Sequence, residues 1–278
     1  MKNSLINSQT NAELKEKYNS EGSILRQIQL GALDALVEFD SVCKKNNIQY
    51  WLDSGTLLGA IRHGGFIPWD DDIDVCVLMR DYKRLLKCLK KEFKGNYQLH
   101  NGRKDNTKNA VNHIPISRVL NYNVMVSRKK DKDGNPLYEP IWIDIFPLEN
   151  GSLFIKNFVE KTYGKLLRRK TYMICDGWFK HLVSAVLEPL SIPFFYILRI
   201  CGRLFHSQTY IFNYGIDFKR LRFKQDIFPL SEHSFEGIMF PCPGDVDCYL
   251  TKLYGDYSLI PPEEKRITHK FFDVKVTQ

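Results

Sequence analysis

The sequence predicts an α+β protein in which a mixed sheet is flanked by helices. Three observations carry that expectation. Segments of helical and of strand periodicity alternate through the first hundred residues, turn residues near 121 separate two apolar runs, and the composition beyond 150 shifts toward aromatic and basic residues.

Leu25, Ile28, Ala32, Leu36, Phe39 and Cys43 recur at helical spacing, so 23–45 reads as one amphipathic helix stopped by Asn46 and Asn47. Residues 48–52 read as a strand, 56–62 as a short helix, and His63, Gly64 and Gly65 as a turn. A second strand is expected at 73–79. It is followed by a second long helix, with Tyr82, Leu85, Leu86, Leu89 and Phe93 as its apolar stripe and the basic residues from Arg80 to Lys94 on its solvated face. Asn121, Tyr122 and Asn123 sit between apolar runs at 116–120 and 124–127, the pattern of a hairpin, and a charged loop at 128–135 precedes a further apolar segment at 141–146. Near the far end Asp245 can cap a helix that turns Val246, Leu250 and Leu253 inward and stops at Gly255. Three regions are therefore expected: a polar extension at 1–22, a catalytic core at 23–150, and a helical, aromatic-rich part at 151–278.

With 278 residues, 44% hydrophobic and 26% charged, the chain can bury a sizeable core, and no repeat or low-complexity tract supports a fibrous or solenoid reading. The net charge of +8 favours anionic partners. Seven cysteines without a C-x-x-C pair point to reduced thiols, and Cys242 and Cys248 with His233 and His269 have poor spacing for zinc. The first twenty residues lack the apolar run of a signal peptide, so a cytoplasmic protein is expected. The most apolar stretch, 182–205, is broken by Glu188, Pro189, Pro193, Arg199 and Arg203 and is not expected to span a bilayer. Together with Lys165, Arg168, Arg169 and Lys170 it has two readings: a peripheral contact with the inner membrane face, or a helical hairpin packed on the sheet.

Chemistry concentrates in the run DSGTLLGAIRHGGFIPWDDDID at 53–74. Strand periodicity puts Asp70, Asp72 and Asp74 on one face, and carboxylates so crowded are tolerable when a cation neutralises them. Hard oxygen donors at that density suit Mg²⁺ or Mn²⁺, which complete their shells with substrate phosphates. Ser54, Gly55 and Thr56, ahead of a helix, supply backbone N–H groups, a hydroxyl and an open approach for a phosphate. Asp144 in an apolar strand is the candidate third carboxylate. Arg62 and Arg118 are candidate phosphate clamps through their bidentate geometry, His63 is the one histidine within the motif, and Trp51, Trp69 and Trp142 are aromatics beside the acidic motifs that a quaternary ammonium could use.

A glycine turn between one strand and a D-x-D strand follows the order of the nucleotidyltransferase fold. The 53–74 run is similar to the signature of the LicD family of phosphocholine transferases, which also resembles the catalytic region of fukutin and fukutin-related protein. IDIFP at 143–147, FEG at 235–237, FPCP at 240–243, YGDY at 254–257 and PPEEKR at 261–266 follow in the expected order. The resemblance implies a transferase that moves a phosphorylated alcohol, phosphocholine above all, from a CDP-activated donor to a sugar hydroxyl of lipopolysaccharide, capsule or a teichoic-acid-type glycan, releasing CMP. It matches Asp72 and Asp74 to the metal-binding pair, Asp70 to the acidic residue before it, and Ser54 to Thr56 to the phosphate turn, with either Asp144 or Asp70 as the base. The substrate-binding set is then Ser54, Gly55, Thr56, Arg62, His63, Trp69 and Arg118. A CDP-ribitol or CDP-glycerol donor is the alternative within the same chemistry. A nucleotidyltransferase acting on nucleic acid is less well supported, because stacking motifs of the RNA-recognition type are missing and no nucleic-acid partner is expected.

Overall fold

The computed structural model describes residues 7–101, 116–159, 161, 193–194, 196–212 and 220–277. The polar extension is itself largely helical. In α1 (Ser8–Asn19) Leu14 is buried and the Asn11 amide donates to the carbonyl of His63 at 3.0 Å. Next comes α2 (Ile24–Lys45), capped by the Ser23 hydroxyl, with Ile28, Ala32, Ala35, Leu36 and Phe39 wholly buried as their spacing requires.

Among the described residues one eight-stranded sheet carries the fold. Its central order is β1 (Tyr50–Leu52), β2 (Asp74–Leu78), β5 (Pro136–Asn150), β4 (Ser117–Lys130) and β10 (Asp273–Val276). β3 (Tyr97–Asn101) also pairs with β4, and β6 (Thr209–Phe212) extends β5 toward β7 (Arg222–Phe223). Among the described strands only β2 and β5 run parallel, as a strand, helix, strand crossover demands; α4 (Met79–Glu92) leads the chain away from β2. The helix α2 lies across β4 and β5, where the buried side chains of Val124 and Ile141 stand against Gly31. A hairpin, β8 (Ser231–Phe235) with β9 (Ile238–Cys242), sits beside α3 (Ser54–His63) and β1. The α+β class and the helix-flanked mixed sheet are as expected, although beyond residue 200 the described chain contains as much strand as helix, and strands from that part join the same sheet as the core.

One expected turn is a bulge. Instead of a hairpin at Asn121, the strand continues from Ser117 to Lys130, with a register shift against β5 between Asn121 and Met125. The Asn121 side chain, which reads locally as a turn former, is buried; it donates to the Gly31 carbonyl of α2 at 2.9 Å and accepts from the Asn123 N–H at 2.9 Å. The reversal falls in the charged loop, where Asp131 accepts from the N–H groups of Asp133 and Asn135. Six described cysteines are free thiols. The basic residues Lys165, Arg168, Arg169 and Lys170 lie outside the described residues, and no helix among those described is long and apolar enough to cross a membrane.

Candidate active site

The chain leaves β1 at Leu52, passes Asp53 and enters α3 at once. Ser54 takes a left-handed conformation, φ 50°, which costs a residue with a Cβ on the order of 1–2 kcal/mol. Gly55 follows and is packed against the acidic segment: a Cβ on it would stand 2.7 Å from Oδ2 of Asp70. Thr56 faces inward, its hydroxyl accepting from the Asp74 N–H at 2.8 Å, so its oxygen anchors the start of β2.

β2 begins at Asp74 and pairs in parallel register with β5, setting Asp74 opposite Asp144. The third carboxylate thus comes from the adjacent strand. Asp72 and Asp70 precede β2 on the same side, whereas Asp71 turns the other way, is 2% exposed, and accepts from Arg128 at 3.3 Å and from Nδ1 of His269 at 2.7 Å. Asp70, Asp72 and Asp74 are half-buried and make no ion pair with any described residue. Poor solvation pushes the Asp70 carboxyl well above the usual range, and the charges of Asp72 and Asp71 push it further. Asp72 rises to about 6 through burial and then the charges of Asp71 and Asp144. Asp74 is pushed well up by burial, then by Asp72 and Asp144. Asp144 differs in being held by Arg118, whose Nε donates to it at 2.7 Å.

Among the described residues, no three His, Cys, Asp or Glu side chains form a ready-made metal cage. Mg²⁺ does not require one, since it is usually held through one or two carboxylates with water and substrate phosphates. Oxygen donors held side by side with their repulsion unrelieved therefore fit a hard divalent cation.

The remaining sequence-predicted residues fall into two groups. Arg118 stays with the carboxylates, its guanidinium carbon 4.3 Å from the ring of Trp142, two residues before Asp144 on the same face of β5; Arg128 lies at the same distance from that ring. Arg62, His63 and Trp69 have structural partners instead. Arg62 is 4% exposed and donates to the carbonyls of Tyr257 and Leu259 and to Nε2 of His63, and burial lowers its pKa to about 10. The other nitrogen of His63 meets Asn11 at 2.7 Å, and burial followed by the Arg62 charge lowers its pKa to about 3. Trp69 is 6% exposed, with its ring against Tyr18, His63 and Arg266, and Trp51 is wholly buried. Of the three tryptophans beside the acidic motifs, Trp142 is the one that shares a face with the carboxylates.

Sequence reasoning assigned no role to Asp53, Arg222 or Tyr249, which brace the phosphate turn from below. The fully buried Asp53 carboxylate accepts from Arg222 at 2.8 Å, from the Tyr249 hydroxyl at 2.6 Å and from the Cys76 thiol at 3.2 Å. Burial alone would raise its pKa, but the Arg222 charge and these hydrogen bonds outweigh burial and hold it below the ordinary range. Glu236 ties the turn after α3 to α2, accepting from the Phe66 N–H at 3.0 Å and pairing with Arg26 at 2.9 Å. Tyr254 also stands at the site: burial first, then the charges of Asp53 and Asp74, push its hydroxyl up, yet the residue is 45% exposed. Glu236 and Tyr254 lie in the C-terminal motifs at 235–237 and 254–257, whereas Arg222 and Tyr249 lie in no motif and are brought to Asp53 only by folding.

The mixed sheet sets the Ser54–Gly55 turn beside carboxylates from two parallel strands, an arrangement suited to phosphoryl transfer. The chain belongs to the family described as LicD/FKTN/FKRP, nucleotidyltransferase domain, which matches residues 47–194. It is 27% identical over 256 residues to the lipopolysaccharide cholinephosphotransferase LicD of Haemophilus influenzae, covering 88% of this chain and 95% of that protein. It is also 48% identical over 40 residues to the human ribitol 5-phosphate transferase FKRP, 14% of this chain and 8% of that protein, and 56% identical over 45 residues to an uncharacterised protein of Rickettsia prowazekii.

Proposed function

We propose that the protein transfers phosphocholine from a CDP-activated donor to a sugar hydroxyl of a lipopolysaccharide or related surface glycan and releases CMP. The observation that carries this reading is the parallel pairing of Asp74 with Asp144, beside Asp70, Asp72 and the Gly55 turn, in a chain similar along most of its length to the Haemophilus enzyme. In this reading the N–H groups at the start of α3 and the Arg118 guanidinium take the donor diphosphate. Asp72 and Asp74 would hold Mg²⁺ or Mn²⁺, which neutralises phosphate charge when bound. Two carboxylates can accept the proton of the attacking hydroxyl. An oxygen of Asp144 is already taken by Arg118 at 2.7 Å, so Asp70, without such a partner among the described residues and with its carboxyl pushed up, is the better acceptor.

Trp142 is a poor seat for choline because two guanidiniums already lie at its ring and would repel a quaternary ammonium. Tyr254, exposed and in the field of Asp74 and Asp70, suits that cation better. The local similarity to a ribitol 5-phosphate transferase supports a second reading, with CDP-ribitol as donor. CMP release measured with CDP-choline, CDP-ribitol and CDP-glycerol, each with Mg²⁺ and with EDTA, tests both. Metal-dependent release highest with CDP-choline supports the first and highest with CDP-ribitol the second, while pyrophosphate release from a nucleoside triphosphate would overturn both.

A further inference from the structure

At the opposite end of β2 from Asp74, about 13 Å along the strand at ~3.3 Å per residue, the surface has a different character. The helix at 196–205 packs inward through Leu198, which meets the buried pair Val159 and Ile211, and through Gly202, where a Cβ would stand 2.1 Å from the Asn150 carbonyl oxygen. Its outward side should be polar and is not. Tyr196, Ile197, Ile200, Leu204 and Phe205 are between 41% and 76% exposed, and the neighbouring α5 (Leu153–Val159) adds Phe154 at 81% and Phe158 at 53%.

Arg199 and Arg203, one turn apart, edge that apolar stripe and line a cavity of about 290 Å³ together with Arg80, Glu149 and Tyr210. Arg199 pairs with Glu149 at 2.5 Å, Arg80 pairs with Asp81 at 3.2 Å, and Arg203 makes no ion pair with a described residue, so among the described residues that line the cavity three guanidiniums accompany one carboxylate. The cavity is at the small end of ligand-pocket volumes, the size of a headgroup rather than of a nucleotide. A basic pocket edged by outward apolar side chains matches the chemistry of an anionic bilayer surface, in which phosphate lies just above acyl chains.

We infer that this end of the protein docks on an anionic phospholipid membrane, with the Arg80, Arg199 and Arg203 pocket taking a lipid phosphate and Ile200, Leu204 and Phe205 entering the acyl boundary. The inference is independent of the transfer reaction and is read without substrate. Flotation of the full chain uses vesicles of phosphatidylcholine alone and of equal parts phosphatidylcholine and phosphatidylglycerol at low salt. The protein should float with the mixed vesicles only. Arg80→Gln with Arg203→Gln should lower the partition about fivefold per charge, the equivalent of roughly 1 kcal/mol each, Arg80→Lys with Arg203→Lys should restore it, and Leu204→Ser should reduce it. Circular dichroism establishes that each variant is folded. Absence of flotation, or flotation unchanged in the double Gln variant, overturns the proposal. So does inorganic phosphate raising the melting temperature while vesicles bind nothing, which makes the pocket a free-anion site, or a dimer dissolved by Leu204→Ser without vesicle binding, which makes the stripe a self-interface.

Discussion

Asp53 and Asp74 face each other across the end of one sheet, and folding treats them in opposite ways. Asp53 is surrounded by Arg222, Tyr249 and Cys76, and these partners keep it ionised despite complete burial. Asp74 has Asp72, Asp144 and Asp70 for neighbours, and burial together with their charge pushes its proton affinity up. A carboxylate supplied with its counter-charge by the chain is a brace; a carboxylate denied one leaves that place for a ligand. The backbone joins the two directly, the Asp53 N–H donating to the Asp74 carbonyl at 3.1 Å.

The largest expected effect comes from the side without compensation. Asp74→Asn should lower transfer on the order of a thousandfold, the scale of losing a principal charge-stabilising group, while the protein without metal melts at or above the wild-type temperature because like charges have been removed. Initial-rate assays alongside thermal melts check both halves. On the compensated side Arg222→Met should behave conversely, costing roughly 3–5 kcal/mol of stability because it leaves Asp53 buried without its partner; urea unfolding measures it, and a loss below 1 kcal/mol would break the comparison.

Gly55→Val should sharpen it, since the new side chain meets Asp70 and the phosphate approach. Donor affinity by calorimetry should fall about tenfold, equivalent to roughly 1.4 kcal/mol, with a smaller proportional effect on melting. Tyr254→Leu should raise KM for CDP-choline about fivefold, the worth of a cation–π contact of roughly 1 kcal/mol, and leave CDP-ribitol unaffected.

The two groups also predict opposite pH responses. The Asp72 carboxyl is raised from 3.8 to about 6, so between those values the native state holds more protons than the unfolded chain, and stability from this group falls as pH rises through that window. Asp53 is lowered, so its stabilisation is present above 3.8 and lost as pH falls below it. Wild-type and Asp72→Asn melting curves across pH 3–7 should converge toward the acid end and separate above, and Mg²⁺ should narrow the gap.

Much of this was legible locally. The spacing of Ile28, Ala32, Leu36 and Phe39 determined α2, and the alternation in 70–74 separated Asp71 from its neighbours before any pairing was known. What was not legible depends on distant partners. Asp53 and Arg222 are 169 residues apart, and nothing near either one discloses the other. Asn121 carries a turn signal that its buried bond to Gly31 overrides, 90 residues away. Trp69 looked like a site aromatic because it adjoins Asp70 in sequence, but it lies in a turn closed by the Asp70 N–H on the Ile67 carbonyl at 2.9 Å, and its ring packs on Tyr18.

Asp72 and Asp74 await a charge that no described residue provides. CMP released from CDP-choline by wild type and by Asp74→Asn, with a glycan acceptor present and with Mg²⁺ either supplied or chelated, tests it most directly. Wild type should release CMP only when Mg²⁺ is present, and a folded Asp74→Asn should release none above background in either condition. Equal release by the two proteins, or full wild-type release in chelator, would contradict it.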